Sequence, residues 1–326
     1  RALLKALAAA GLAGCGLPIL AQQPAFPAKP VRIVVPYPAG GSGDIYCRPI
    51  AQALTTRFGQ QVVIENRAGA NGQIGTALVA KAPADGYTVL FVTDAAMSIA
   101  PAMTKLPYDA RNDFQTLALI GFLPMLLVAS EQSGIASIGD LVAQARAKPG
   151  GVSYGSLGIG SIAHVAMEVF AAGTGTELLH IPYQGTAPAM TAIVAGEVNT
   201  ALLSIGAALQ QIKAGRAKPI ALAAPARSSV LPNVPTFAEA GIADFNVRAW
   251  FGFFVPRGTP DPVLQYLRRE FWAVLSSKEY VSDVVVRNGA EPPNVTPEGM
   301  EAFIREDQSR WGEWVKRVEK RLGKTS

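Results

Sequence analysis

The chain has 326 residues, of which 49% are hydrophobic and only 16% are charged, and its formal net charge is +5. This length is typical of two globular domains, and the hydrophobic content is sufficient for sizeable cores. The basic residues are scattered and interleave with acids near the C-terminus, which argues against nucleic-acid binding. The body of the chain has no run of about 18 apolar residues, so we expect no internal membrane span.

Residues 1–23 have the pattern of a secretory signal peptide: a basic start, an apolar run of small residues, and then two glutamines. Two cleavage sites compete. The segment Leu12-Ala13-Gly14-Cys15 resembles a lipobox, in which Cys15 would be lipidated, whereas cleavage after Ala21 would release a soluble protein. The apolar run continues past Cys15 to Leu20, which favours the soluble form. We therefore expect a periplasmic protein, with a lipid anchor at Cys15 as the alternative.

From residue 30 onward, short apolar segments alternate with segments of helical periodicity. The predicted strands are Val31–Pro36, Gln61–Glu65, Tyr87–Thr93, Leu126–Ser130, Val152–Ser156, Leu178–Pro182, Thr200–Ile205, Pro219–Ala224 and Arg248–Pro256. Strands followed by a loop and a helix in this way indicate right-handed βαβ units and a parallel sheet. The sequence therefore predicts an α/β protein with two sheets.

Two long apolar stretches, Phe114–Val128 and Phe245–Val255, can each cross from one sheet to the other. Two crossings would make the first domain discontinuous, with residues 24–122 plus 249–326 in domain 1 and residues 123–248 in domain 2. The alternative is two domains in series, but no Ser/Gly-rich or Pro-rich linker lies near the first stretch.

Four glycine-rich turns each follow a predicted strand and precede a predicted helix. They are Pro38–Asp44, Gly69–Gly72, Gly155–Ser161 and Tyr183–Ala187. Turns in these positions meet at the carboxyl edge of a parallel sheet, where ligands bind. Helix N-termini there offer unpaired N–H groups to carboxylates and phosphates. The turns therefore indicate an anion-binding clamp, although a purely structural role for them remains an alternative.

Single residues near these turns have two interpretations each. Asp44 can cap its helix, hold the loop or accept a hydrogen bond from a ligand amine. His164 can be a packed histidine or a ligand donor, and Tyr37 and Tyr183 can flank the apolar body of a ligand. A lone Cys47 is expected to be a small buried hydrophobe.

Catalytic and cofactor motifs are missing from the sequence. There is no Gly-x-Ser-x-Gly elbow and no P-loop, and two histidines without a cysteine cluster do not suggest zinc. We therefore expect no catalytic residues, no metal and no cofactor, and a ligand-binding protein rather than an enzyme, although an enzyme acting on a small carboxylate is an alternative.

Several long blocks occur in an order that resembles the Bug family, the TctC-like extracytoplasmic receptors of tripartite tricarboxylate transport systems. The blocks are Val34–Asp44, Val63–Gly75, Tyr154–His164, Ile181–Gly196 and Trp250–Pro260. The resemblance implies a type II periplasmic-binding-protein fold, two α/β domains joined by crossing hinge strands, and capture of carboxylates partly through bridging waters. The ligand contacts it implies are Tyr37, Gly40, Gly41, Ser42 and Asp44 in the first domain, and Ser156, Gly158, Ser161, His164, Tyr183, Gly185 and Thr186 in the second.

The chain departs from the family pattern at Ser204, where an acid often faces the cleft. The loss of that charge leads us to expect a mono- or dicarboxylate ligand without an amino group. We expect a monomer that closes on its ligand and delivers it to the membrane subunits of a transporter. The alternative partner is a two-component sensor kinase, which would use the same fold.

Overall fold

The computed structural model describes residues 26–40, 42–293, 295–296 and 299–322. The predicted signal peptide, with both of its cleavage sites, and Gly41 therefore lie outside the described residues. The strands are β1 (Val31–Val35), β2 (Val62–Asn66), β3 (Thr88–Thr93), β4 (Phe114–Ser130), β5 (Val152–Ser156), β6 (Leu178–Pro182), β7 (Thr200–Ser204), β8 (Ala217–Ala223) and β9 (Arg248–Pro256).

The helices of the described residues are α1 (Ser42–Phe58), α2 (Gln73–Ala80), α3 (Ala100–Met103), α4 (Ile138–Ala147), α5 (Ile162–Thr174), α6 (Thr186–Ala195), α7 (Ile205–Lys213), α8 (Asp261–Leu275), α9 (Lys278–Tyr280) and α10 (Met300–Arg317). A π-helical turn, Ala95–Ile99, leads into α3. Local chemistry sets several of these ends. Ser137 accepts a hydrogen bond from Asp140 N at the start of α4, and Gly175 ends α5 with a left-handed φ of 64°.

The strands form one mixed sheet in the order β2-β1-β3-β9-β4-β7-β5-β6, with β8 paired to β4. Strand β1 is parallel to β2 and β3, and β5 is parallel to β6 and β7. We call β1–β3 with the helices packed on them lobe 1, and β5–β8 with theirs lobe 2. The expected parallel sheet is therefore present within each lobe, but it is wrong for the centre of the molecule, where β4 and β9 are antiparallel to their neighbours.

Strands β4 and β9 cross between the lobes. Strand β4 has 17 residues; its first part pairs with β9, and its last part pairs with β7 and β8. The two strands pair at Phe122↔Trp250 and Pro124↔Arg248, where the chain passes from one lobe to the other. These crossings correspond to the two long apolar stretches of the sequence. The proposed boundaries at residues 122–123 and 248–249 stay a prediction.

Both faces of the inner strands of lobe 1, β1 and β3, are covered, so these two strands are mostly apolar. In β1, Ile33 and Val35 pack on the α1 and α8 side, whereas Val34 packs on the opposite face with Trp250. Trp250 is fully buried, and its indole Nε1 donates to Asp307 Oδ2 at 2.8 Å. This bond fixes α10 to a crossing strand.

Helix α10 also reaches lobe 2. The ring of Trp314 stacks on Phe245 at 5.9 Å, and just beyond the helix Arg321 Nε donates to Glu168 Oε2 at 2.8 Å. The C-terminal helix therefore contacts both lobes beside the crossing strands.

Cys47 is buried in the core of lobe 1, as predicted, and burial raises the pKa of its thiol well above the usual value. A neutral, inaccessible thiol is a poor nucleophile. In the described part of the chain, no helix is both long and apolar enough to cross a membrane.

Candidate functional site

The sheet register places the two sets of turns face to face. Strands β1 and β3 run in the same direction as β4, which leads from lobe 1 to lobe 2, so their carboxyl ends point toward lobe 2. Strand β7 is antiparallel to β4, so β5–β7 point back toward lobe 1. The turns after β1, β5, β6 and β7 therefore border one inter-lobe cleft, at the carboxyl edges of the strands where α/β sheets bind ligands.

The pairing register along β4 gives the width of this cleft at its base. Thr93, at the end of β3, lies level with Phe251 and Gly121, whereas Ser204, at the end of β7, pairs with Met125. Four residues of strand separate these levels, or roughly 13 Å at about 3.3 Å per residue. That spacing is suited to a small molecule.

The turn after β1, which we call the first-lobe turn (residues 36–44), is held by the carboxylate of Asp44. Its Oδ2 accepts from Gly40 N and Arg48 Nη2, both at 2.8 Å, and its Oδ1 accepts from Asn66 Nδ2 at 3.1 Å. Burial raises the pKa of Asp44, but the hydrogen bonds from Gly40, Arg48 and Asn66 outweigh it and leave the pKa below its usual value. Of the interpretations open to Asp44, the contacts favour holding the loop.

Asn66, which the sequence analysis did not select, braces the same turn from the end of β2. Its Nδ2 also donates to Tyr37 O at 3.1 Å. The Tyr37 hydroxyl lies 2.8 Å from Thr93 Oγ1, and burial raises its pKa, so it stays neutral. Tyr37 is thus positioned from two neighbouring strands. Gly41 lies outside the described residues, and Ser42 begins α1 without a described side chain.

The turn after β5, which we call the second-lobe turn (residues 156–161), is held by neutral groups. Ser156 Oγ accepts from Gly158 N at 3.1 Å and lies 2.6 Å from His180 Nε2. Ser161 caps α5 by accepting from His164 N at 3.3 Å. Gly158 has a φ of 112°, which glycine adopts far more readily than other residues.

His164 lies under this turn and is 5% exposed. Its Nδ1 accepts from Gly160 N at 3.1 Å, and its ring stacks on that of His180 at 4.0 Å. Burial lowers the pKa of His164 to about 4, so the ring is neutral at neutral pH. Because Nδ1 is the acceptor, the proton of the neutral ring is on Nε2, which is a hydrogen-bond donor.

A second group of buried side chains supports the histidines from behind. The ring of Tyr154 stacks on His180 at 5.0 Å, and its hydroxyl donates to Glu168 Oε1 at 2.7 Å. Glu168 in turn binds Arg321. Burial, then the neighbouring His164, lowers the pKa of His180 to about 4. The sequence analysis missed His180, Tyr154 and Glu168; the one available signal was the four-residue spacing of His164 and Glu168 on one helix.

The remaining predicted residues lie at the ends of β6 and β7. Tyr183 N donates to Ser156 O at 3.0 Å, which joins its turn to the second-lobe turn. Gly185, with a φ of 120°, precedes α6, which begins at Thr186, and Ser204 precedes α7. Neither α6 nor α7 has a side-chain cap, so the N–H groups of their first turns are free of side-chain acceptors within the described residues.

Asp94 lies at the same edge of lobe 1, directly after β3, and was not selected from the sequence. It is 2% exposed, and its Oδ2 has no hydrogen-bond partner in the described structure. Burial, then the nearby Asp307, raises the pKa of Asp94 well above its usual value, which favours the uncharged acid. Within the described ranges, no group of three or more His, Cys, Asp or Glu side chains is arranged to hold a metal ion.

This arrangement can bind an anion with little formal charge. The turns that border the cleft contain neutral hydroxyl, imidazole and backbone N–H groups. Of the acids at its edge, Asp44 is occupied by hydrogen bonds and Asp94 is buried with a raised pKa. Helix N-termini aimed at such a space attract carboxylates. The lobes also approach one another, because a Cβ at Gly160 in lobe 2 would lie 3.9 Å from the side chain of Met103 in lobe 1.

Comparison with known proteins identifies the family of the chain. The family described as "Tripartite tricarboxylate transporter family receptor" matches residues 46–320. The protein BugT of Bordetella pertussis is 35% identical over 315 residues, which are 95% of this chain and 95% of BugT.

Two solved structures are similar along nearly the whole chain. One is "R. palustris Rpa4515 with adipate", with a TM-score of 0.82, 32% identity, and coverage of 90% of this chain and 98% of that one. The other is MatC from Rhodopseudomonas palustris with bound malate, with a TM-score of 0.80, 30% identity, and coverage of 89% and 100%. The predicted fold of two α/β domains with crossing strands is confirmed by these likenesses.

Proposed function

The chain belongs to the tripartite tricarboxylate transporter receptor family, and from this premise we propose that it captures a small dicarboxylate in its inter-lobe cleft. Family membership makes it a solute-binding receptor of the periplasmic type, and we propose that it catalyses no reaction. The observation that carries the proposal is the pair of facing turn sets, in which α6 and α7 begin without side-chain caps.

The ligand's two carboxylates would be bound by different sets of donors. We propose that one lies against the first turns of α6 and α7, with the hydroxyls of Thr186 and Ser204 beside it. The other would lie between the first-lobe turn and His164, whose Nε2–H is available as a neutral donor once Gly160 N occupies Nδ1. The remaining contacts would enclose the ligand between the lobes. They are Gly40, Gly41, Ser42, Ser156, Gly158, Ser161, Gly185 and the rings of Tyr37 and Tyr183.

We further propose that the ligand has no amino group. An ammonium needs an anionic partner in a cleft, and Ser204 offers a hydroxyl in its place. The carboxylate of Asp44 is engaged by Gly40, Arg48 and Asn66, and burial favours an uncharged Asp94. The relatives that carry adipate and malate are consistent with this ligand class.

Capture would proceed by closure of two domains, residues 24–122 plus 249–326 and residues 123–248, about β4 and β9. We propose that the closed monomer then docks on the membrane subunits of a tripartite transporter. Deletion of the receptor should abolish dicarboxylate uptake by cells. Intact uptake combined with loss of a dicarboxylate-dependent transcriptional response would instead favour the sensor-kinase alternative.

The ligand is tested by isothermal titration and thermal shift with succinate, malate, adipate and aspartate. A dicarboxylate at about 100 times its dissociation constant should stabilise the protein by about 2.7 kcal/mol. Tight binding of aspartate with no response to the plain dicarboxylates would contradict the proposal. Recovery of each ligand unchanged after prolonged incubation, checked by NMR, would separate binding from catalysis.

The position of the site is tested by a matched pair of glycine variants. Gly158→Leu places a side chain in the cleft at a φ of 112°, and Gly150→Leu introduces a similar backbone strain at a φ of 69° in a turn on the outside of lobe 2. No atom lies within 4 Å of a Cβ at Gly150, and the nearest at Gly158 is Tyr183 O at 3.9 Å. Gly158→Leu should abolish ligand binding, whereas Gly150→Leu should retain it. Equal binding by both variants would contradict the proposed position of the site.

A further inference from the structure

A second cavity lies in lobe 1 at the edge opposite the cleft. Strand β4 begins at Phe114, which pairs with Pro256 at the end of β9. Because β4 runs in the same direction as β1 and β3, this is the edge where those strands begin, far from their ligand-facing turns. A cavity of about 570 Å³ opens there between the start of β4, the beginning of α8 and the face of α10.

Four arginines line this cavity: Arg111, Arg257, Arg268 and Arg305. Two acids, Asp261 and Glu301, line it as well, and Glu301 pairs with Arg305. The four cations and two anions leave the lining with an excess of positive charge. The four arginines come from segments that are far apart in the sequence.

The other three guanidinium groups are held by neutral oxygens. Arg111 Nε donates to Gln308 Oε1 at 2.9 Å, Arg257 Nε to Asn112 O at 3.1 Å, and Arg268 Nε to Thr116 O at 3.0 Å. Neutral acceptors orient a guanidinium without cancelling its charge. Within the described residues, these and the accompanying Nη contacts use only one or two of the five donors of each group.

This pairing differs from that of many other arginines in the molecule. Arg32, Arg48, Arg57, Arg310 and Arg321 each lie against a carboxylate. Around the cavity, by contrast, three oriented cations keep free donors and form no ion pair with any carboxylate of the described residues. Such a site favours a multivalent oxyanion, because arginine binds phosphate and carboxylate oxygens through two donors at once.

The cavity also has an unsatisfied acceptor. Gln115 lies in its lining, and the buried Oε1 of this side chain has no hydrogen-bond partner among the described residues. Buried polar atoms are usually paired, so this residue of the lining keeps one acceptor to which no described donor is bonded. An oxyanion that carries a hydroxyl group supplies negative oxygens to the arginines and an O–H to Gln115.

We propose that this distal cavity is a second anion-binding site, separate from the ligand cleft, that binds a small multivalent oxyanion with a hydroxyl group. Hydrogen phosphate is the smallest such ion at neutral pH, and citrate is a hydroxycarboxylate of the same class. The proposal does not depend on the identity of the ligand in the cleft.

The test is isothermal titration with inorganic phosphate and with citrate at constant ionic strength, using sulfate as the oxyanion without a hydroxyl group. The variant R111Q/R257Q removes two exposed cations from the cavity, and R287Q/R317Q removes the same charge from exposed positions that do not line it. Phosphate or citrate should bind the wild type and R287Q/R317Q more tightly than sulfate does. R111Q/R257Q should bind on the order of 100-fold more weakly, about tenfold for each charged hydrogen-bonding group.

Retention of phosphate binding by R111Q/R257Q, or no binding of phosphate beyond that of sulfate, would overturn the proposal. Citrate can also enter the ligand cleft, so equal citrate binding by R111Q/R257Q and R287Q/R317Q would remove citrate, but not phosphate, from the ligands of the distal cavity. If R111Q/R257Q is misfolded by circular dichroism, R111K/R257K replaces it. Lysine keeps the charge but loses the two-donor geometry. R111K/R257K should therefore bind phosphate more weakly than the wild type does, but more tightly than a variant that lacks both charges. Unchanged affinity in R111K/R257K would likewise contradict the site.

Discussion

The two lobes position their ligand-facing turns by different chemistry. The first-lobe turn is fixed by a charged group: the carboxylate of Asp44 accepts from Gly40 N, Arg48 and Asn66. The second-lobe turn is fixed by neutral groups: Ser156 and Ser161 bind backbone atoms, and His164 accepts from Gly160 N while it stacks on His180. Two unrelated sets of side chains therefore produce the same arrangement, a glycine turn that leads into a helix N-terminus.

The difference has a physical consequence. The charged turn depends on a carboxylate whose pKa is lowered, so it resists all but strong acid. The neutral turn depends on two histidines that must remain unprotonated, so it is sensitive to mild acid. Four predictions test this contrast, one of a pH dependence and three of substitutions, and the substitutions are in order of decreasing effect.

Among the single substitutions, replacement of Asp44 by alanine should have the largest effect. It leaves Gly40 N and Asn66 Nδ2 without their acceptor, at a cost of about 3 kcal/mol, and it should loosen the first-lobe turn. Arg48 is largely exposed, so Arg48→Ala should cost only about 0.5 kcal/mol. Urea denaturation of both variants measures the difference. Equal costs would mean that the ion pair, rather than the backbone contact, holds the turn.

Mild acid should destabilise the second-lobe turn. His164 and His180 have pKa values of about 4, below the ordinary 6.5, so the unfolded chain binds their protons first. The stability they contribute is complete above pH 6.5 and is lost as the pH falls toward 4, by roughly 1 kcal/mol per pH unit for each histidine. Asp94, with a raised pKa, acts in the opposite sense because the unfolded chain releases its proton first, so its destabilising effect grows as the pH rises from 3.8.

Unfolding free energies measured at intervals from pH 7.5 to 4 check this slope. The variant H164Q/H180Q should lower stability at pH 7 but flatten the pH dependence in that interval. The variant D44A should leave the slope in place, because Asp44 titrates below this range. An unchanged slope in H164Q/H180Q would assign the acid sensitivity to other groups.

An acid at the end of β7 should alter ligand preference. Ser204→Asp adds a negative charge beside α7, which should weaken succinate binding about tenfold and raise the affinity for aspartate relative to succinate. Ser204→Ala removes the hydroxyl without adding charge and serves as the control. Isothermal titration with both ligands gives the two ratios. If the ratio is the same in Ser204→Asp and Ser204→Ala, Ser204 does not face the ligand.

Loss of one hydroxyl in the first lobe should have the smallest effect. Tyr37→Phe removes the 2.8 Å contact with Thr93 but retains the edge-to-face packing of the ring on Phe91. We expect a cost of about 1 kcal/mol. A double-mutant cycle with Thr93→Val isolates the pair, and a coupling energy near zero would show that the hydroxyl acts through another partner.

Much of the fold was predictable because it is encoded locally. The β-branched run of β1, the alternation of strands and helices, and the helix start at Ser137 all depend on neighbouring residues. The crossing strands were predictable from their unusual length and apolarity, although the antiparallel pairing of β4 with β9 was not, because strand direction depends on the path of the chain between them.

The candidate site was predictable in its turns but not in their supports. Glycines after strands marked where the turns lie, since only glycine tolerates backbone angles such as the φ of 112° at Gly158. Asn66 and Asp94, by contrast, have no local pattern that distinguishes them from ordinary strand-end residues. Their roles depend on partners in other elements.

The sequence by itself therefore determined the order of the elements, the location of the glycine turns and the family likeness, because each of these is encoded by residues close together along the chain. Only the tertiary structure decided how His164 stacks on His180, how Glu168 reaches Arg321, and how Arg111, Arg257 and Arg268 surround one cavity. Those contacts join residues up to 153 positions apart, and they exist only once the sheet register and helix packing bring the segments together.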